Sequence, residues 1–454
     1  MNFKNYLAGT ALAATAIASS FVAAGPSQAS EPATHPSRPH LSGKTHIKCS
    51  THFCVHYTLK GKDRVRKEDK NHNGVPDTVD TVLKAGEKSW KVYVKEYKFR
   101  APASDLSLAA HGPNGKIDIY MKQPSAGEEF AGEALTESSA RLGDRLTGYI
   151  MVAPKWYGSN VVRWFKYNGR KKITQTDPQD LQAVVAHEFF HVIQFGYKGF
   201  YDDSWEVESE AMWAESQVYP LHGTVQAVED LWSPHSAHRS PSAPFETLNG
   251  LYGGSSLFAL VEKTYGKNAV RKILEAGSVS EWAAKQKGGV AKLFARYTLA
   301  NLAPAEHYKL GAYYPSVPRT TPLWDGAART STVLSTGSKT YQWKATGVAQ
   351  AVSLGASISL PAFIRMSDLD VSPWPVVLTV LKKNGKVARR EWHRVVPGGE
   401  SLNLYVKAKR GSTVQLTVVN PDTPSFQTYV DHADGAASTE EHYDPTLTAT
   451  FGRS

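Results

Sequence analysis

Residues 177–194 read DPQDLQAVVAHEFFHVIQ, and residues 204–215 read SWEVESEAMWAE. In the first stretch Leu181, Val184, Val185, Val192 and Phe195 recur at helical spacing, which predicts a helix over 178–195. Asp177 suits its N-cap, Pro178 its first helical position and Asp180 the positive end of its dipole, while Gly196 and Gly199 supply the stop. On such a helix His187 and His191 stack on one face, within reach of one divalent ion, and Glu188 lies beside them. This HExxH spacing is what hydrolysis by a metal-activated water requires: two imidazole ligands and an adjacent general base.

The second stretch predicts a helix over 205–218, with Asp203 as a cap and Glu206 at the capping-box position. Glu208, Ala211 and Glu215 share one face of it; Glu206 and Glu210 fall elsewhere. A catalytic zinc usually keeps three protein ligands and leaves a fourth position for water, so this helix is the place to look for the third. HEFFH followed by WEVESEA resembles the gluzincin metallopeptidases. The likeness covers roughly residues 50 to 305 and is closest to secreted bacterial peptidases with a W-x-E continuation (here Trp213 and Glu215) and an upstream calcium-like loop. It implies zinc held by His187, His191 and Glu208, with Trp205 and Ala211 as flanking matches and Glu188 as the base. The spacer from His191 is slightly short for that group, and by length alone Glu210 fits better; the matching neighbours and the face shared with Glu215 favour Glu208. Glu215 is a candidate to orient a ligand histidine. A metzincin pattern fails, because Gln194 and Tyr197 stand where it needs Gly and His.

Asp69, Asn71, Asn73, Val75, Asp77 and Asp80 occupy positions one, three, five, seven, nine and twelve of an EF-hand-like loop, with Gly74 at six. Val75 would offer its carbonyl, and a helix is expected to follow. The loop predicts a structural calcium site, although Asp80 is shorter than the usual glutamate; the plain alternative is a polar Asn-Gly turn.

The 454 residues suit two or three domains, and 41% hydrophobic residues are enough for a core. Lys4, the apolar run Leu7–Ala24 and Ser27-Gln28-Ala29 read as an export signal over 1–29, followed by a flexible segment over 30–45. No later segment is long and apolar enough to span a bilayer. Cys49 and Cys54 are expected to form a local disulfide in an oxidising compartment, so the expected location is extracellular. The formal charge is +10; Lys and Arg read as scattered, which suggests solubility or adhesion to anionic walls, with no nucleic acid expected.

Strands are predicted at 52–59, 116–121 and 148–153, and helices at 79–97, 255–265, 268–275 and 290–302. Strand 148–153 reads either as an edge that holds a peptide or as an interior strand. Past the Pro-rich stretch 313–328, Asn384-Gly385 marks a hairpin and alternating apolar residues follow at 402–406 and 414–418. The expected fold is an α+β zincin-like catalytic domain over 46–312, a linker over 313–328 and an all-β sandwich over 329–454. Tyr252 reads as a packed aromatic or an oxyanion donor, and His222, His235 and His238 as solvated. The expected activity is that of a secreted zinc peptidase acting on peptide or protein substrates. The alternative is an inactive binding or adhesion protein on the same scaffold. In either case the C-terminal domain is a candidate for cell-wall or extracellular-matrix contact.

Overall fold

The computed structural model describes residues 38–108, 111–125, 131–137, 145–154, 162–167, 171–197, 204–221, 225–232, 236, 238–239, 250–322, 328–334, 337–358, 372–421 and 445–453. The signal stretch 1–29, Gly199, Asp203, His222 and His235 lie outside them.

Strands β1 (Thr45–Cys49) and β2 (Phe53–Thr58) form an antiparallel hairpin in which Cys49 faces Cys54, and the two are joined by a disulfide. With β3 (Ile117–Met121), β4 (Gly132–Thr136) and β5 (Gly148–Val152) they build a sheet of order β1-β2-β3-β5-β4. The β2–β3 and β3–β5 pairs are parallel, and β1 and β4 are antiparallel edges. Strand 148–153 is therefore interior, and the edge is β4, whose GEALT sequence lacks β-branched residues before Thr136 and so gave little strand signal. Alternation sends Phe53, Val55, Ile119, Ile150 and Val152, all fully buried, to one face.

Helix α1 (Asp77–Trp90) continues as a π-helical turn, Lys91–Glu96. A hairpin of β6 (Val162–Tyr167) and β7 (Lys171–Thr176) runs straight into α2 (Asp177–Gln194), and α3 (Ser204–Val218) follows. The N-cap of α2 is Thr176, one residue before the expected Asp177. Thr176 is the last extended residue of β7, and Gln179 Oε1 accepts its backbone N–H at 2.9 Å. Phe189 and Phe190 fix the rotation of α2. The Phe189 ring stacks near Trp90 (6.0 Å) and Tyr93 (5.9 Å) and meets Phe53 edge-on (5.0 Å). Phe190 meets Tyr93 (5.2 Å) and Phe99 (5.1 Å) edge-on. Burying each ring contributes about 1.5–3 kcal/mol, and Tyr93 Oη donates to the Ala186 carbonyl at 3.1 Å.

The chain continues through α4 (Val225–Trp232), α5 (Gly250–Gly253), α6 (Ser255–Tyr265) and α7 (Ala269–Ala276). It divides into two compact units, Met1–Ala227 with Val261–Ser278, and Val228–Leu260 with Val279–Ser454. The second unit contains α8 (Val279–Ala284), α9 (Gly289–Asn301), α10 (Pro304–His307) and strands β8 (Ala328–Val333), β9 (Gly337–Lys344), β10 (Gln350–Ile358), β11 (Trp374–Leu381), β12 (Val387–Val395), β13 (Leu402–Val406), β14 (Thr413–Asn420) and β15 (Pro445–Arg453). Two four-stranded antiparallel sheets, β13-β10-β15-β8 and β12-β11-β14-β9, share a core that includes Tyr341, Trp343, Leu354, Trp374, Leu416 and Phe451. This is the expected β-sandwich, and with the first unit it makes the chain α+β. The Asn384-Gly385 turn closes the β11–β12 hairpin, with Gly385 at φ +82°. His238, expected to be solvated, is fully buried. Its ring lies 3.1 Å from the Pro315 carbonyl and 3.2 Å from Ser256 Oγ, and burial pushes its pKa down to about 4. Tyr252 lies in α5, half-buried.

On the far face of the first sheet sits a buried charge cluster. The Arg38 guanidinium reaches Asp105 (2.5 Å), Asp118 (2.6 Å) and Glu137. Asp118 also meets His56 Nε2 at 2.7 Å, and Tyr120 Oη accepts from Arg38 at 3.2 Å. Burial, opposed by Arg38, pushes Glu137 up to about 7. The segment around Arg38 is therefore tied down, and Ser42 is likewise held by Asp63 at 2.7 Å. Removing the cation leaves three buried carboxylates without it. Arg38→Met is accordingly expected to destabilise the first unit by about 3–5 kcal/mol, read as a lowered denaturation midpoint; an unchanged midpoint refutes the hub role.

Candidate metal centre

Helix α2 projects His187, Glu188 and His191 away from the ring cluster around Phe189 and Phe190, and α3 projects Glu208 toward them. The Nε2 atoms of His187 and His191 lie 3.0 Å apart, and Glu208 Oε2 is 3.2 Å from the first and 3.6 Å from the second. Among the described residues, this trio is the group whose ligand atoms all lie within 4.8 Å of one another. Ligand atoms around a tetrahedral zinc with Zn–N of about 2.0–2.1 Å are about 3.3 Å apart.

The outer ring nitrogens are held by acceptors of their own, which leaves the inner ones turned toward each other and toward Glu208. His187 Nδ1 faces Glu215 at 3.3 Å. His191 Nδ1 faces Gln194 Oε1 at 2.7 Å, and the amide orientation is set because Gln194 Nε2 donates to Val207 O (3.0 Å) and Glu210 Oε2 (2.9 Å). With Nδ1 of each ring turned to an outer acceptor, the two Nε2 atoms and the Glu208 carboxylate converge on a common point, where as ligands they would direct lone pairs. That arrangement repels itself unless a cation sits there, so the donor set fits a metal ion. The chemistry of the trio does not by itself identify the metal.

Charges in the metal-free protein follow the same geometry. Burial opposes a charged His187, yet Glu208, Glu215 and Glu188 raise its pKa well above the ordinary value, so a metal must displace a proton there. Burial favours a neutral Glu208, but His191 and His187 hold it far below the usual carboxylate range. Burial raises Glu188 against the pull of both histidines, and pushes Glu215 up to about 7 and Glu210 up to about 8.

Glu188 also meets the edge strand, accepting a hydrogen bond from the Ala134 backbone. The fit is close at Gly132. A Cβ there would stand 2.4 Å from Val184 Cγ1 and 2.8 Å from Glu188 Cγ. Sequence reasoning anticipated His187, Glu188, His191, Glu208 and Glu215. It missed Gln194, whose signal was its position three residues beyond His191 on the same helix, and it missed β4.

In the upstream loop, Asn71 Nδ2 and Asn73 Nδ2 both donate to Asp80 Oδ2 at 2.8 Å. Asp69 accepts from the backbone of Asn73 (3.1 Å) and Gly74 (2.9 Å), with Gly74 at φ +80°. Asp77 Oδ1 accepts from the Lys70 backbone at 3.1 Å. The loop thus gathers positions one, three, five and twelve, and α1 follows it.

No family model matches this chain, and no curated protein matches it. Among solved structures it is similar to PliG of Aeromonas hydrophila, a periplasmic inhibitor of g-type lysozyme, at 10% identity over 29% of this chain and 95% of that one, with a TM-score of 0.15. A likeness of that size carries no argument.

The two outer hydrogen bonds are expected to matter for metal binding. Gln194→Ala and Glu215→Ala should each weaken zinc affinity about 10–100-fold, measured by competition with a chromophoric chelator. Glu208→Ala should weaken it further than Glu210→Ala; the reverse ranking moves the third ligand to Glu210.

Proposed function

We propose that this protein is a zinc-dependent peptidase of the gluzincin type, and that it acts outside the cell. The observation that carries the reading is the convergence of His187, His191 and Glu208 within 3.0–3.6 Å of one another, with Glu188 on the adjoining helix position and an open sheet edge beside it. Zinc held by the trio would supply Lewis acidity, acidifying water and polarising a carbonyl oxygen. The chain's own groups do the rest. Glu188 takes the proton from the attacking water and returns it to the leaving amine. Glu215 and Gln194 hold the two imidazoles in their ligand tautomers. Among the described residues β4 is the edge of its sheet, where an extended peptide would be held by main-chain pairing next to the base. A peptide is favoured over other amides because an extended chain is what an edge strand binds. The Cys49–Cys54 disulfide is compatible with the extracellular location.

The upstream loop is proposed as a structural calcium site formed by Asp69, Asn71, Asn73, the Val75 carbonyl, Asp77 and Asp80. Calcium entry would replace the two amide donors on Asp80 and turn the amide oxygens inward.

Two outcomes test these readings. Glu188→Gln is expected to lower peptide hydrolysis about 10²–10⁴-fold with zinc still bound, measured on a peptide-library digest; hydrolysis at the parent rate removes the enzyme reading and favours a binding protein. Calcium at 100 times its Kd should stabilise the parent by about 2.7 kcal/mol and leave Asp69→Ala and Asp80→Ala unmoved. Equal stabilisation of all three rules the loop out.

A further inference from the structure

The positive charge is not scattered. Residues 374–421 carry nine Lys and Arg against Glu391 and Glu400, a net +7 in a chain whose total is +10. The fold gathers these side chains further. The β11–β12 turn bears Lys382, Lys383 and Lys386, all exposed, and Lys383 lies across Gly411, its Cε 3.0 Å from where a Cβ would stand. The turn is therefore packed beside the loop that carries Lys409 and Arg410, and Arg389 donates to the Lys407 carbonyl at 3.2 Å. From this basic end β12 runs as the edge of its sheet, exposed from Val387 to Arg390 on both faces. Arg390, Trp392 and Arg394 follow one another on one face, opposite Thr379, Val377 and Pro375. Same-face neighbours on a strand are about 6.7 Å apart, and Trp392 is 44% exposed between its two arginines. Among the described residues the carboxylate within salt-bridge distance of this set is Glu391, which reaches Arg389 at 2.9 Å.

We propose that the β11–β12 hairpin, its neighbouring 407–411 loop and the Arg390–Trp392–Arg394 track form a docking surface for a linear anionic polysaccharide. Charge complementarity calls for a polyanion. Cations placed at regular intervals along an edge strand fit a linear polymer better than a single small anion. A Trp flanked by guanidinium groups offers an apolar face for a sugar ring while its neighbours pair with carboxylate or sulfate. The Cys49–Cys54 disulfide favours a glycan over nucleic acid, because it fits an oxidising exterior. The surface lies in the sandwich and does not depend on the peptidase reading.

The experiment uses the full chain and isothermal titration with heparin, alginate, single-stranded DNA, vesicles of one-third phosphatidylglycerol, and neutral dextran. Expected are binding to the anionic glycans, none to dextran, and an affinity that falls steeply with salt. The triple variant Arg390→Ser, Trp392→Ala, Arg394→Ser should lose about tenfold or more, while a Glu188→Gln control binds like the parent. Circular dichroism of the triple variant checks that the sandwich is folded; if it is not, Lys382→Ser with Lys386→Ser, both on the exposed turn, must show a shallower salt dependence. Absence of binding to every anionic glycan overturns the proposal and leaves the charges as protection of an open edge against strand addition. Tighter binding to DNA or vesicles than to glycans overturns the choice of partner. Residues 422–444 carry six carboxylates and no Lys or Arg. If the parent fails to bind and a variant with those six neutralised does bind, the surface serves the chain itself and the proposal also falls.

Discussion

The position of every group in the candidate metal centre depends on the rotation of one helix about its own axis. Phe189 and Phe190 lock α2 into a box made of Phe53, Trp90, Tyr93 and Phe99. A helix advances about 100° per residue, so once those two rings are buried the directions of positions 187, 188 and 191 follow. A turn of even half a residue spacing would carry the imidazoles off Glu208 and Glu188 off the edge strand. The box draws on β2, α1 and the segment after it, which makes the first sheet and α1 a jig for α2.

Burial then does a second task at both histidines. Each imidazole has its outer nitrogen committed to a buried acceptor, Glu215 on one side and Gln194 on the other. Gln194 is itself held by α3 through Val207 and Glu210. The helix that supplies the carboxylate of the trio therefore also fixes the amide that orients a ring on the first helix, and the site is braced twice across the α2–α3 pair. The Arg38 hub follows a similar logic on the far face of the sheet, where a single cation ties an N-terminal segment to Glu137 just beyond β4.

Features that depend on neighbours in sequence were legible. The HExxH helix, the glutamate face of α3, the disulfide hairpin, the Asn-Gly turn and the alternating sandwich strands all follow from short-range spacing. Features that depend on the end of one element abutting another were less so, as when β7 running into α2 moved the cap to Thr176. Strand β4 was hidden because GEALT is weak in β-formers and takes its conformation from pairing with β5. Arg38 sits in a Pro- and Ser-rich stretch whose composition predicts flexibility, and its three carboxylates come from residues 67 to 99 positions away. The basic hairpin was legible as a count over 374–421, but reading charge over the whole chain averaged it away.

Gly132 leads to a different conclusion. It has no side chain and would be passed over by any search for reactive groups. Yet the space a methyl would take there is already filled by Val184 and by Glu188. Along β4, Glu133 and Leu135 leave on the opposite face, away from Val184 and Glu188. Position 132 faces both, and any side chain there would have to push them away from β4.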